Sequence, residues 1–153
     1  MEEKIYFNLQ QLFEAVVTHV VKQGRPAISQ SLIKYRTSDG LKCAFGGIIP
    51  DYAYSPEIED HSINVLVFDK ENFGKGWITW IAKNPVLNEF SNTKSYVLRE
   101  IQMYVHDKDT SWETLESYKA AVEYVAGLYN LNLEFFHKLD FSAMEKYFAK
   151  KQK

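Results

Sequence analysis

Cys43 is the one cysteine of the chain. A thiol becomes a nucleophile when an adjacent base or a positive field lowers its pKa, and Lys42 and His61 are the groups available, without any Cys-His-Asn spacing. Cys43 also alternates with Leu41 and Phe45, and free cysteine is among the most buried residue types, so interior packing is its expected role. Asp51, Glu57, Glu59, Asp60 and His61 form an acidic patch soon after. Two such carboxylates could divide acid and base roles only if burial drove their pKa values apart. Beside Pro50 and Pro56 they are expected instead to be solvated or to cap turns. His19, His61, His106 and His137 lack the partner spacing of a zinc site, so neither a metal nor a cofactor is expected. Gly46-Gly47 resembles an anion nest but is followed by no Gly-Lys-Ser/Thr sequence, which favours a tight turn. Gly74-Lys75-Gly76 reads as a connector ahead of Trp77 and Trp80.

Binding chemistry has a stronger signal. Three Trp, ten Tyr and ten Phe make up 15% of the chain, and Tyr35, Tyr52 and Tyr54 cluster in one irregular block from Tyr35 to Glu59. Aromatic faces beside Arg36 and Lys42 suit a planar, charged ligand such as a nucleotide, through stacking and charge-assisted contacts to phosphate. Tyr35, Arg36, Lys42, Tyr52 and Tyr54 are therefore the candidate ligand-binding residues. The same side chains also suit a protein interface. Most of the phenylalanines are expected in the core.

The elements that must position this block are mainly helical. From Asn8 to Lys22, Leu9, Leu12, Phe13, Val16, Val17, Val20 and Val21 recur at spacings of three and four, with Asn8 as N-cap and Gly24 beyond the end. Four valines lower the intrinsic propensity, so burial must hold this segment helical. Leu32–Arg36 and Leu41–Ala44 flank Thr37-Ser38-Asp39-Gly40, which predicts a two-stranded ribbon needing a helix against one face. Ile63–Phe68 is a short apolar run that periodicity leaves open between strand and helix. Asn92 or Ser95 opens a helix with a Val97, Leu98, Ile101, Tyr104 and Val105 stripe. Thr110-Ser111-Trp112-Glu113 has capping-box form ahead of Leu115, Tyr118, Ala121, Val122 and Val125, and Ser142-Ala143-Met144-Glu145 repeats it before Tyr147 and Phe148.

Within the block, Tyr35-Arg36, Gly40-Leu41-Lys42-Cys43-Ala44, Gly46, Ile49-Pro50-Asp51, Tyr54, Pro56 and Glu59 follow one another over about 25 residues. This string resembles a motif of small proteins from bacteria and their phages, of the form Tyr-Arg-Gly, Gly-Leu-Lys-Cys-Ala, Gly, Leu-Ile-Pro-Asp, Tyr, Pro, Glu. The chain departs from it at Thr37, where the motif has glycine, at Gly47, where a second cysteine is common, and at Asp60, where glycine often follows. A two-cysteine redox or metal role is therefore not implied. No function is established for that family; the phage-like string, the aromatics beside cations and the want of a catalytic constellation together lead to the expectation of a phage-type accessory or counter-defence factor.

Composition bounds the remaining classes. The chain has 153 residues, 18 basic and 20 acidic, for a formal charge of −2. Only Arg25, Arg36 and Arg99 are arginines, so the phosphate-neutralising face of a DNA or RNA binder is not expected. No apolar run approaches about 18 residues, and Met1-Glu2-Glu3-Lys4 does not begin a signal peptide, so no membrane partner and a reducing cytoplasm are expected. The expected architecture is α+β, a mostly helical single domain over 1–153 with a small antiparallel β-hairpin. The expected function is non-enzymatic capture of a small nucleotide-like signal or a host protein. The alternatives are a small enzyme using Cys43 or the Asp51–His61 carboxylates, and a homo-oligomeric structural protein.

Overall fold

In the computed structural model, which describes residues 3–30 and 32–151, the first apolar stripe forms helix α1 (Leu9–Gln23). Its ends are those the sequence specifies. The Asn8 side chain accepts a hydrogen bond from the Gln11 amide, and Gly24 closes the helix at φ 77°. Leu12, Phe13, Val16, Val17, Val20 and Val21 are all buried, so the low propensity of the valines is offset by packing.

The architecture is mostly helical with one small antiparallel hairpin, as expected, but the hairpin lies earlier than the ribbon anticipated. Strands β1 (Ile28–Ser29) and β2 (Leu32–Ile33) pair Ile28 with Ile33 and Ser29 with Leu32. The Asp39-Gly40 turn does form, with Gly40 at φ 90°. Its arms meet only at an Arg36–Lys42 bridge, flanked by Thr37 N–H to Leu41 O at 2.8 Å and Cys43 N–H to Tyr35 O at 3.3 Å. The ribbon stops there because Cys43 opens a run of turns, its carbonyl accepting from the Gly47 amide at 3.0 Å. That run brings Gly46 so close to Tyr35 that only a residue without Cβ fits.

The run Ile63–Phe68 is helix α2. Its N-terminal amide, on Ile63, donates to Gln102 Oε1 at 3.0 Å, a cap supplied from far along the chain. Helices α3 (Lys75–Lys83) and α4 (Pro85–Phe90) follow. The expected connector at Gly74-Lys75-Gly76 is instead the start of α3, and Gly76 is needed there because a Cβ would stand 2.0 Å from Tyr52 O. Trp77 and Trp80 of α3 are buried, and Trp77 Nε1 donates to Leu66 O at 2.8 Å, tying α3 to α2.

Helix α5 (Val97–Gln102) runs into a wide π-helical turn, Met103–Asp107. Asp109–Trp112 then forms a short 3-10 turn, and α6 (Leu115–Leu128) begins after Thr114. Thr114, not Thr110, is the cap, its hydroxyl accepting from the Ser117 amide at 3.0 Å. Trp112 explains the shift: it is buried and its Nε1 donates to His106 O at 2.7 Å, which turns this stretch away from the helix axis. The short α7 (Glu134–His137) and α8 (Ser142–Lys151) complete the described residues. One contiguous apolar core joins these helices, with Phe13, Ile63, Trp77, Ile101, Tyr118 and Phe148 among its members. Among the described residues, no helix is long and apolar enough to cross a membrane.

Candidate functional site

Glu59 organises the irregular block. Its carboxylate accepts from the Tyr35 amide at 2.9 Å, the Arg36 amide at 3.2 Å and the Tyr54 hydroxyl at 2.8 Å. Arg36 is held next to it. Its guanidinium donates to Ile49 O at 2.9 Å, pairs with Asp51 at 2.9 Å and lies 4.3 Å from the centre of the Tyr54 ring. The cation and the aromatic ring expected to grip a ligand thus grip one another. The acidic patch is equally occupied: Glu59 is a backbone clamp, and Asp51, 92% exposed, serves Arg36.

The other candidate residues are dispersed. Tyr35 is buried, its hydroxyl donating to His61 O at 2.6 Å and accepting from Gln102 Nε2 at 2.8 Å. Lys42 faces α1, where its amide donates to Gln23 Oε1 at 2.9 Å and its carbonyl lies 3.0 Å from His19 Nε2. Tyr52 is exposed elsewhere, bonded to Glu3 beneath the Lys83 ammonium, which is 5.1 Å from the ring centre. The structure therefore joins Tyr35, Arg36 and Tyr54 through Glu59, keeps Lys42 next to Arg36 through their backbone bridge while its amide and carbonyl serve α1, and places Tyr52 apart, against Glu3 and Lys83.

An open cleft of about 330 Å³ begins where Tyr35 ends. The ribbon side supplies Lys34, Tyr35 and Cys43, the helical side supplies Arg99, Met103 and Asp107, and Asp60 and His61 also line the cleft. Lys34 makes only a long 4.0 Å pair with the exposed Asp60. Such surface pairs contribute little. Arg99 is exposed and forms no ion pair among the described residues. Sequence reasoning passed over Lys34, Arg99, Gln102 and Asp107. The one available hint was that Arg99 is among only three arginines, on the polar side of a marked helix stripe.

The wide turn explains how the helical wall is built. An uninterrupted α-helix would carry position 107 about 80° round from position 99. The i→i+5 turn, closed by Lys108 N–H to Met103 O at 2.8 Å, advances by a smaller angle per residue and returns Asp107 to the face of Arg99 and Met103. His106 points inward instead and is buried. The Ala27 amide donates to its Nε2 at 2.8 Å, so the proton of the neutral ring sits on Nδ1 and is donated to Asp107 Oδ1 at 2.8 Å.

These environments decide which chemistry is accessible. Burial, and then the Asp107 carboxylate, push the Cys43 thiol well above its ordinary pKa, and the sulfur accepts from the Gly46 amide at 3.4 Å. A protonated, buried thiol is a poor nucleophile. Burial, and then the hydrogen bond to Glu59, push the Tyr54 hydroxyl up to about 12, and burial with a bond to Glu100 does the same for Tyr129. Both are acids held protonated in the fold above the unfolded value of about 10. The native state therefore keeps this contribution below about pH 10 and loses it as the pH rises towards about 12. Thermal unfolding measured across that interval is expected to show a falling midpoint in step with tyrosinate absorbance; a constant midpoint would contradict the assignment.

A larger open groove of about 690 Å³ lies between the Lys4–Tyr6 segment, the outer face of α1 and Gly47-Ile48. His19 stands at its edge, where burial lowers its pKa and favours the neutral ring. Among the described residues, no cluster of three metal-ligating side chains occurs. No protein family, curated protein or solved structure matches this chain.

Proposed function

We propose that this chain is a non-enzymatic binding protein whose Lys34–Arg99 cleft captures a small, anionic, nucleotide-like ligand. The observation that supports this most directly is the Arg99 guanidinium, exposed and without an ion-pair partner among the described residues, on a residue that lines the same cleft as Lys34 over a rigid floor. The floor is rigid because Tyr35 is held by both Gln102 and the His61 carbonyl. Guanidinium and ammonium groups on two walls suit a phosphate, which a fork of N–H donors engages with two bonds. A volume of about 330 Å³ falls within the range of small-molecule sites, at its lower end. Sequestration of such a ligand fits the phage-type accessory or counter-defence role expected from the sequence.

Protein isolated from cells and denatured by heat is expected to release a phosphate-bearing small molecule identifiable by mass spectrometry. The Arg99→Ala variant is expected to release little of it, its affinity falling roughly 10–100-fold with the loss of a charge-assisted contact. Because Arg99 is exposed, the ligand-free stability of that variant should change by no more than about 0.5 kcal/mol. Release of a bound protein in place of a small molecule, or equal release from both forms, would overturn the proposal.

A further inference from the structure

The helical wall of the cleft presents a cation, a thioether and an anion in sequence, Arg99, Met103 and Asp107, about one turn apart. Asp107 is the most firmly placed of the three. His106 Nδ1–H donates to its Oδ1 at 2.8 Å, and the Ala27 amide locks the far side of the same ring at 2.8 Å. Trp112, bonded to the His106 carbonyl at 2.7 Å, packs against the imidazole edge to face. Neither ring nor carboxylate can turn without breaking these bonds. His106 is thus a positioning residue, and Asp107 is the group it aims.

Asp107 is only partly consumed by this arrangement. Its side chain is 23% exposed and borders the cleft, and His106 is its one hydrogen-bond donor among the described residues. An ionised carboxylate accepts and never donates, so a ligand reaching it must bring N–H or O–H groups. At the other end of the wall, Arg99 must be met by acceptors. A ligand with acceptors at one end, donors at the other and a flat apolar middle satisfies all three positions.

Resting on the binding function proposed above, we infer that the preferred ligand is a guanine nucleotide. Its phosphate lies on Arg99 and Lys34, its ring against the Met103 thioether, and its adjacent ring N–H and amino group donate to Asp107. Adenine sets a ring nitrogen lone pair beside its amino group, so one carboxylate oxygen would face another acceptor. A site built around a fixed acceptor rejects such a base strongly.

Titration calorimetry of the intact chain with guanosine, inosine and adenosine monophosphates and with ribose phosphate separates the possibilities. Guanosine monophosphate is expected to bind at least about tenfold more tightly than adenosine monophosphate, with inosine monophosphate between them. Asp107→Asn, whose amide offers both a donor and an acceptor, is expected to bring guanosine and adenosine within about threefold of one another while leaving ribose phosphate binding unchanged. Should that variant fail to fold by circular dichroism, the ranking on the native chain decides the matter. Equal binding of the guanosine and adenosine compounds, or an undiminished preference in Asp107→Asn, would overturn the guanine assignment and leave an anion-binding cleft standing. Absence of all binding, ribose phosphate included, would overturn the cleft itself.

Discussion

Glu59→Ala is expected to lower the melting temperature by about 6–16 °C, corresponding to roughly 3–4 kcal/mol at about 2–4 °C per kcal/mol for a chain of this size. The carboxylate holds the amides of Tyr35 and Arg36 and the hydroxyl of Tyr54. Charge-assisted bonds contribute roughly 1.5–3 kcal/mol each when buried, and the half-exposed setting of Glu59 discounts their sum. Alanine leaves two backbone donors without their partner and frees Tyr54 from the face of Arg36. Glu59→Gln retains one carbonyl acceptor and should lose less, which separates the hydrogen bonds from the shape of the side chain. Thermal unfolding of the two variants measures this directly; a drop below about 2 °C for alanine would show that the carboxylate does not organise the block.

A comparable loss is expected for Gly46→Ala, for a different reason. Its Cβ would stand 2.0 Å from the Tyr35 carbonyl oxygen and 2.8 Å from the carbonyl carbon. The obstacle is backbone, so no change of rotamer relieves it. The chain must separate Tyr35 from the turn after Cys43, at a cost of about 3 kcal/mol or more, the upper part of the range for overpacking. Because Tyr35 floors the cleft, ligand binding should weaken together with stability. Gly127→Ala is the matched control. Gly127 lies within α6 with nothing inside 4 Å of its Cβ position, and alanine there should stabilise by about 0.5–1 kcal/mol. Denaturant unfolding of both variants gives the comparison, and a stable Gly46→Ala would refute the close approach.

What was legible in the sequence was local. Helix α1 carries its whole specification within itself: a capping Asn8, an apolar stripe and a closing Gly24. Helix α2 does not. Its six residues suit strand or helix equally, and the choice is made by packing and by Gln102, 39 positions away, which receives the Ile63 amide. The start of α6 moved from Thr110 to Thr114 because Trp112 finds His106, a contact that no capping pattern encodes. The wide turn at Met103–Asp107 was invisible for a similar reason, since it depends on His106 reaching Ala27 across 79 positions.

The site was legible to the same extent. The density of aromatics and cations between Tyr35 and Glu59 marks a region where polar groups converge, and they do converge. They are mostly spent on one another: Arg36 on Tyr54, Asp51 and Ile49, and Tyr35 on Gln102 and His61. A sequence shows which residues have binding chemistry but not which of them the fold has already satisfied. The groups left free among the described residues, Arg99 and the outer side of Asp107, lie on a helix far along the chain, and only the tertiary arrangement brings them into one cleft with Lys34.

The Lys34–Arg99 cleft and the larger groove over α1 compete for the role of binding site. Backbone amide chemical shifts recorded while guanosine monophosphate is added to the labelled chain distinguish them most directly. Binding in the cleft predicts saturable shifts centred on Lys34, Arg99 and Asp107, absent from Arg99→Ala. Shifts centred on Gln11, Thr18 and Lys22, or none at any residue, would contradict it.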